Sequence, residues 1–273
     1  AANTGANRFV VSPNVNDNRE QFGTRLDYQP SATHSLLGRY MWSHTDRREP
    51  PTTRPVGTRA TATLQDVMLS DTAVLGPHLF NVARVSYNRI DARPAATSGL
   101  SNAAYGIDVP QNASRALGLA NIAIDGFFSV GDVNQPFVSR LNEVLQIAND
   151  LTWVRGGHSM KFGVDVRREH MVIAFVNRPN GDFTFNGYAT GNAAADFLLG
   201  LPSQFRRATQ NADQDGVGWL YSGYAQDEFR PWRNTTMTAG LRYELAMPFV
   251  DANDALNAFR PGRQSTRFPN APL

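Results

Sequence analysis

One segment of the chain has residue types and spacing that suit metal binding. Asn211-Ala212-Asp213-Gln214-Asp215-Gly216 resembles the opening of a calcium loop, where oxygen ligands alternate and a glycine makes the sharp turn. The twelfth position of such a loop would be Ser222 rather than the usual bidentate glutamate. A polar surface turn is the competing interpretation, and Asn211, Asp213 and Asp215 are the weak calcium candidates.

Other patterns for catalysis or metal binding are missing from the sequence. The five histidines show no i, i+4 or other short ligand spacing, which argues against zinc. The chain contains no cysteine, so it has no thiolate ligand or nucleophile. No nucleophile elbow, phosphate loop or dinucleotide fingerprint occurs. We therefore expect no enzyme, no metal site beyond the calcium candidate and no cofactor.

Five charged residues alternate with apolar residues in the second half of the chain. A pair of carboxylates could support glycoside hydrolysis, but only if the fold brought the two together. The simpler interpretation is that these residues bond one another and line an aqueous interior. The residues that we predict to face the lumen are Lys161, Asp165, Arg167, Arg242 and Glu244.

The period of the apolar residues predicts β-strands. Eight segments alternate, some clearly and some weakly, and short turns rich in Pro, Gly, Ser and Asn join them into four pairs. No stretch approaches the roughly 20 apolar residues of a membrane-spanning helix. The segments are about 20–29, 34–44, 61–73, 79–90, 141–154, 158–174, 217–230 and 235–246.

Long connections separate the pairs, at 45–60, 91–140 and 175–216. Short turns therefore lie at one end of the sheet and long loops at the other, as in outer-membrane barrels. We predict an all-β antiparallel up-and-down meander of about eight to ten long strands, forming part of a transmembrane β-barrel, with one short helix in a loop.

Alternation alone does not decide whether the apolar face meets lipid or a protein core, because a soluble β-sandwich alternates too. Two features favour lipid. The segments exceed the usual soluble strand length of about 5 to 6 residues. Aromatic residues near strand ends also suit membrane interfaces, although ordinary core packing would explain any one of them. These aromatics are Tyr40, Trp42, Trp153, Trp219, Tyr221, Phe229, Trp232 and Tyr243.

The third long loop contains the single helix that we predict, at 190–201. Asn192 can cap its start, and Gly200 followed by Pro202 would end it. We expect residues 203–212 to form an extra strand that returns toward residue 217.

The charge balance argues against nucleic acid as a partner. The chain has 26 Lys and Arg against 24 Asp and Glu, and its densest basic pairs are isolated from one another. Nucleic-acid-binding proteins usually cluster such charges.

Four segments together resemble a known family. They read NVARVSYNR, GGHSMKFGVDVRRE, GNAAADFLLGLPSQF and GYAQDEFRPWRNTTMTAGLRYE. In this order they resemble the barrel of Oar-like TonB-dependent outer-membrane receptors of Acidobacteria and related bacteria. The resemblance covers roughly residues 20–250. Gln226-Asp227 and the run from Gly240 to Glu244 match the family, whereas Thr235-Thr236-Met237 stands where Leu-Thr-Leu is usual.

The resemblance implies part of a barrel of about 22 strands in the outer membrane of a Gram-negative cell. Such a receptor holds a plug domain, is energised by the TonB complex and imports a bulky nutrient. We find no plug domain, TonB box or signal peptide, so we expect residues 1–273 to be an internal, partial barrel domain with an open sheet. Its partners would be outer-membrane lipid, the TonB complex through the plug region, and a substrate that the sequence does not identify.

Two other classes of function remain open at this point. One is a passive outer-membrane porin or adhesin barrel that needs no plug. The other is a soluble β-sandwich that binds carbohydrate, which would cover the apolar face with a second sheet.

Overall fold

The computed structural model describes residues 12–50, 57–96, 101–109, 118–131, 137–208, 213–253, 261–264 and 269. The strands are β1 (Asn16–Ser31), β2 (His34–Glu49), β3 (Thr58–Gly76), β4 (Leu79–Ala96), β5 (Asn121–Ile124), β6 (Phe128–Val130), β7 (Phe137–Arg155), β8 (His158–Val176), β9 (Asp182–Phe185), β10 (Gln204–Arg206), β11 (Gln214–Trp232), β12 (Thr235–Ala246) and β13 (Val250–Asp251). One α-helix, α1 (Ala193–Leu198), and a 3₁₀ turn at Asn102–Tyr105 complete the elements.

The long strands form one antiparallel meander. Their order is β1-β2-β3-β4-β7-β8-β11-β12, and the short strand β13 pairs with β11 beside β12. Among the described residues β1 and β12 do not pair with each other, so the sheet is open. This architecture confirms the predicted all-β meander of long strands with one short α-helix.

All eight predicted strand segments are present, and most are longer than predicted. The longest strands have 19 residues, which corresponds to about 60 Å of extended chain, twice the thickness of a bilayer's hydrocarbon core of about 30 Å. The extra residues lie mostly at the ends joined by long connections. Charged residues occupy both faces there, so apolar and polar residues no longer alternate along the strand, although the backbone pairing continues.

The four tight turns all lie at one end of the sheet, after β1, β3, β7 and β11. We call this the turn end, and the opposite end, from which the long connections emerge, the loop end. This arrangement is the predicted asymmetry. Short turns on the periplasmic side and longer loops outside the cell are characteristic of outer-membrane barrels.

The two faces of the sheet differ in chemistry. Residues paired across neighbouring strands share a face, and successive rows alternate between the two faces. One row on the face that we call apolar consists of Leu26, Gly38, Leu69, Val85, Ile147, Val166, Tyr221 and Leu245. The adjacent row, on the polar face, consists of Asp27, Leu37, Ser70, Arg84, Ala148, Asp165, Ser222 and Glu244.

The apolar face of the long sheet is uncovered. Ile147 and Val164, on the central strands β7 and β8, are 56% and 60% exposed. Of the buried apolar residues in the described chain, only Ala73 and Ala148 belong to long strands. No second sheet packs on this face within the described residues. The alternative of a soluble β-sandwich is therefore wrong, because a sandwich would bury these side chains.

A second, small sheet lies within the long connections. Its order is β10-β9-β5-β6, and β5 and β9 run parallel although they come from different connections. The small sheet and α1 enclose a core of their own, made of Ile122, Ile124, Phe183, Phe185 and Ala193. The connections that we predicted as loops are thus partly folded.

Helix α1 lies within the predicted segment 190–201. The side chain of Asn192 accepts hydrogen bonds from the backbone N–H groups of Ala194 and Ala195 at 2.9 and 3.1 Å, which confirms the predicted cap. Gly200 has a φ of 69°, the left-handed conformation that ends many helices. No helix in the described part of the chain is long and apolar enough to cross a membrane.

The expected strand over 203–212 is corrected by the structure. Within the described residues 203–208, only Gln204–Arg206 forms a strand, and it pairs with β9 of the small sheet rather than with the strand that begins at Gln214. Phe205 packs on Phe183 with ring centroids 4.7 Å apart, and Arg206 forms an ion pair with Asp182. These contacts draw the segment into the small sheet. Residues 209–212 lie outside the described chain.

Candidate functional site

The five predicted lumen-facing residues share the polar face of the long sheet. Asp165 and Glu244 belong to one row through Ser222, while Arg167 lies two residues from Asp165 on β8. Lys161 and Arg242 occupy nearby rows of the same parity. Alternation therefore placed all five on the same side of the sheet, and their position in a lumen stays a prediction.

A cavity of about 410 Å³ opens on this face. It contains three of the predicted residues and adds three that we did not single out. Its charged and aromatic lining comprises Arg84, Asp150, Asp165, Arg167, Tyr224 and Arg242. Its three guanidinium groups are matched by two carboxylates of the lining and by Glu244, which pairs with Arg242, so the cavity suits a polar ligand.

Asp150 lies at the centre of the cavity's hydrogen bonds. The hydroxyl of Tyr224 on β11 donates to its Oδ1 at 2.8 Å, and the Arg84 guanidinium on β4 donates to its Oδ2. Asp150 itself belongs to β7, so side chains from three strands converge on a single carboxylate. This arrangement orients the Tyr224 ring and the Arg84 guanidinium within the cavity.

Asp165, Arg167, Arg242 and Glu244 are also paired. Asp165 accepts hydrogen bonds from the Gln146 amide and, at 3.0 Å, from Nε of Arg167. Arg242 donates through Nε to Glu244 at 2.7 Å. Lys161 makes no ion pair within the described residues. The polar face therefore carries a preformed hydrogen-bond network with an ammonium group beside it.

Gly163 makes the close packing of Tyr224 possible. It lies between Asp150 and Tyr224 in the same row, and a Cβ atom at this position would lie 2.0 Å from Cε1 of the Tyr224 ring. The ring thus covers the space that a side chain would fill. Such cross-strand pairing of an aromatic residue with a glycine fixes strand register in sheets.

We expect Gly163→Ala to destabilise the folded protein by about 1–3 kcal/mol, because the new methyl group would push the Tyr224 ring off Asp150. Gly223→Ala is the matched control, since its Cβ would meet its nearest atom, the Gly163 carbonyl oxygen, at an ordinary 3.6 Å. Urea unfolding in detergent, followed by intrinsic fluorescence, measures both changes. Equal midpoints for the two variants would contradict the role assigned to Gly163.

The calcium candidates have protein partners. Asp213 Oδ1 accepts a hydrogen bond from the Phe175 backbone N–H at 3.3 Å, and Asp215 Oδ1 lies 2.8 Å from Nε2 of His170. Asn211 lies outside the described residues. The described side chains include no group of three His, Cys, Asp or Glu residues that could hold a metal ion. Calcium binding by the whole set stays a prediction.

Sequence reasoning missed two kinds of site residue. Arg84 and Asp150 follow the same alternation as the predicted residues, so parity within their strands would have found them. His170 is different, because it lies on the apolar face beyond the apolar band. Its ring nitrogens each lie 2.8 Å from a carboxylate, Glu143 on β7 and Asp215 on β11. Only the register between three strands reveals this cluster.

Aromatic residues bound the apolar band at both ends. Tyr40, Trp42 and Trp219 lie on the apolar face toward the loop end, whereas Trp153 and Phe229 lie toward the turn end. Tyr221 and Tyr243, which we also predicted at an interface, lie instead inside the band, in the rows of Ile147 and Val164. Trp219 and Phe229 are ten residues apart on β11. That separation is about 33 Å along the strand and about 25 Å in height at a usual tilt, which matches the band of outer-membrane barrels.

Comparison with known proteins gives a family and a fold. The family model described as outer membrane beta barrel domain matches residues 1–272. The crystal structure of the outer membrane transporter YddB from Escherichia coli is similar with a TM-score of 0.53 and 10% sequence identity. The similarity covers 85% of this chain and 28% of the transporter chain, and at this identity it establishes the fold alone. No curated protein matches the chain.

Proposed function

The chain belongs to the outer membrane beta barrel domain family and lies in the outer membrane, and on this premise we propose that it forms part of the wall of an Oar-like TonB-dependent receptor. The receptor imports a bulky nutrient across the outer membrane. The chain spans only 28% of the length of the transporter to which it is similar, so its open sheet fits a segment of a larger wall.

The observation that carries this proposal is the contrast between the two faces of one sheet. The apolar face is exposed and bounded by aromatic residues, whereas the polar face carries the cavity around Asp150. A wall between lipid and an aqueous path needs these two surfaces. The order of the four family-like segments supports the Oar-like type.

Each part of the polar surface can contribute to transport in a different way. Arginines and carboxylates that are already paired can exchange partners with the polar groups of a passing substrate at small cost, since exposed ion pairs contribute little stability. The small sheet at the loop end provides a folded surface for capture. The TonB complex would act through a plug domain that fills the barrel, and no catalytic step is involved.

A depletion experiment tests the proposal even though the substrate is not identified. Cells that carry or lack the gene are grown in rich medium, and mass spectrometry follows the loss of each medium component. A protonophore collapses the proton gradient that energises TonB in half of the cultures. We expect at least one component to be depleted only when both the gene and the gradient are present.

Two outcomes contradict the receptor assignment. Depletion that requires the gene but persists with the protonophore would indicate a passive porin. No gene-dependent depletion at all would indicate a barrel without a transport role. An Asp150→Ala variant that is present in the outer membrane at the normal level should slow the depletion, because it removes the acceptor for Arg84 and Tyr224.

A further inference from the structure

Four arginines lie on the loop-end part of the apolar face, Arg89 in the same cross-strand row as Trp42 and the other three beyond it. Arg89 follows Tyr87 by two residues on β4, so both side chains point to the same side, and Arg93 continues that series. Arg48 on β2 pairs directly with Arg59 on β3. We call Arg48, Arg59, Arg89 and Arg93 the arginine patch. It faces outward, above the lipid-contacting band, on the side of the long loops.

Two aspartates orient these guanidinium groups. Asp46 accepts hydrogen bonds from Arg59 at 2.8 and 3.0 Å and from Arg48 at 3.2 Å. Asp91 accepts from Arg93 at 2.8 and 2.9 Å and from Arg89 at 3.1 Å. Four positive charges against these two negative ones leave an excess of two. Glu143 approaches Arg89 at 3.7 Å and reduces this excess at one end of the patch.

Three of the four arginines are much more exposed than the aspartates that bind them, whereas Arg89 is half-buried. The side chains of Arg48, Arg59 and Arg93 are 56%, 43% and 70% exposed, whereas those of Asp46 and Asp91 are 17% and 14% exposed. An approaching ligand therefore meets guanidinium N–H groups that are already held in place. Such groups match the oxygen atoms of a phosphate, which guanidinium binds through two parallel hydrogen bonds.

A groove lies on the same face and the same strands, toward the turn end. It has a volume of about 600 Å³ and is lined mainly by apolar side chains, among them Leu36, Leu69, Val85 and Ile147, with Gly38 leaving space beside them. Val85 precedes Arg89 by four residues on β4, about 13 Å along the strand. An amphipathic ligand can thus place phosphates on the patch and an acyl chain in the groove.

We propose that the arginine patch and the groove below it bind a phosphorylated, acylated lipid of the outer leaflet. The patch recognises the headgroup phosphates and the groove holds one acyl chain. Positive charge next to a lipid-facing band complements the negative charge of such headgroups. A soluble phosphate compound would engage the patch alone and would gain nothing from the groove. This site is separate from the cavity on the polar face.

Titration of the protein, purified from outer membranes in detergent, with lipid A tests the proposal. Lipid A is an acylated disaccharide that carries two phosphates, and dephosphorylated lipid A and inorganic phosphate serve as comparison probes. We expect the double variant Arg59→Gln, Arg93→Gln to bind lipid A about 100-fold more weakly, since it loses two charge-assisted contacts. The native protein should also bind dephosphorylated lipid A about 100-fold more weakly than it binds lipid A.

The double variant Arg25→Gln, Arg39→Gln is the matched control. Both arginines are exposed and paired with aspartates, but they lie on the polar face. We expect this variant to bind lipid A like the native protein. A further variant, Arg59→Lys with Arg93→Lys, keeps the charges and loses the paired geometry, so about a tenfold loss is expected.

Three results would overturn the proposal. The first is unchanged lipid A affinity in both the glutamine and the lysine variants. The second is equal affinity of the native protein for phosphorylated and dephosphorylated lipid A. The third is displacement of lipid A by inorganic phosphate at equal concentration, which would make free phosphate the ligand. Migration of the unheated protein on a denaturing gel shows whether each variant is folded. If the glutamine variant is unfolded, the lysine variant alone tests the proposal.

Discussion

Replacement of Ile147 by arginine is expected to destabilise the sheet in a lipid environment by about 2–4 kcal/mol. Ile147 lies within the apolar band on β7, and more than half of its surface is exposed. In the membrane that surface touches hydrocarbon, where a guanidinium group has no polar partner. The same change on a protein surface in water would have almost no effect.

Gln146→Arg is the control, because the neighbouring residue points to the opposite face. Its side chain already reaches Asp165, and an arginine there would retain a carboxylate partner. We expect Gln146→Arg to change stability by less than about 0.5 kcal/mol, as is usual for surface substitutions. Denaturant unfolding in lipid vesicles compares the two variants. Equal destabilisation by both would mean that the apolar face does not contact lipid.

Removal of the Asp182 carboxylate is expected to unfold the small sheet, with a loss of about 3–5 kcal/mol. Asp182 is almost fully buried and forms ion pairs with Arg178 at 3.0 Å and Arg206 at 2.9 Å. It also accepts a hydrogen bond from Asn121 at 2.8 Å. These partners come from three separate segments of the chain. Asp182→Ala would therefore leave two positive charges without the group that joins them.

Hydrogen exchange measured by mass spectrometry distinguishes unfolding of the small sheet from any change in the long sheet. In Asp182→Ala we expect fast exchange in β5 and β9, with unchanged protection in β7 and β8, because the small sheet has a core of its own and pairs with none of the long strands among the described residues. Asp125→Ala is the control, since this aspartate is exposed in the turn between β5 and β6. If β5 and β9 remain protected in Asp182→Ala, the carboxylate does not hold the small sheet together.

These two predictions test the long sheet and the small sheet independently. The long sheet depends on the solvent at its apolar face, whereas the small sheet depends on a buried ion-pair cluster and a few aromatic contacts. In the receptor that we propose, this separation would allow the surface at the loop end to vary while the membrane wall is preserved.

Much of the long sheet was predictable because its signals are local. A period of two residues specifies a strand and its two faces, and Pro, Gly and Asn specify a tight turn. These rules located the long strands, the turn end and the loop end, and the shared face of residues such as Asp165 and Arg242. Asn192 as a helix cap was found in the same way, because capping involves only the next few residues.

The remaining features depend on contacts between residues that are distant in the sequence. Asp150, Arg84 and Tyr224 meet because β4, β7, β8 and β11 pair in one register, and β5 joins β9 although about 60 residues separate them. Segment 203–212 was predicted wrongly because Phe183 and Asp182 draw part of it into the small sheet. The sequence by itself therefore determined the strands and their two faces, which follow from the geometry of neighbouring residues. Only the tertiary structure decided which side chains meet, because a one-residue shift in register would change every partner across the sheet.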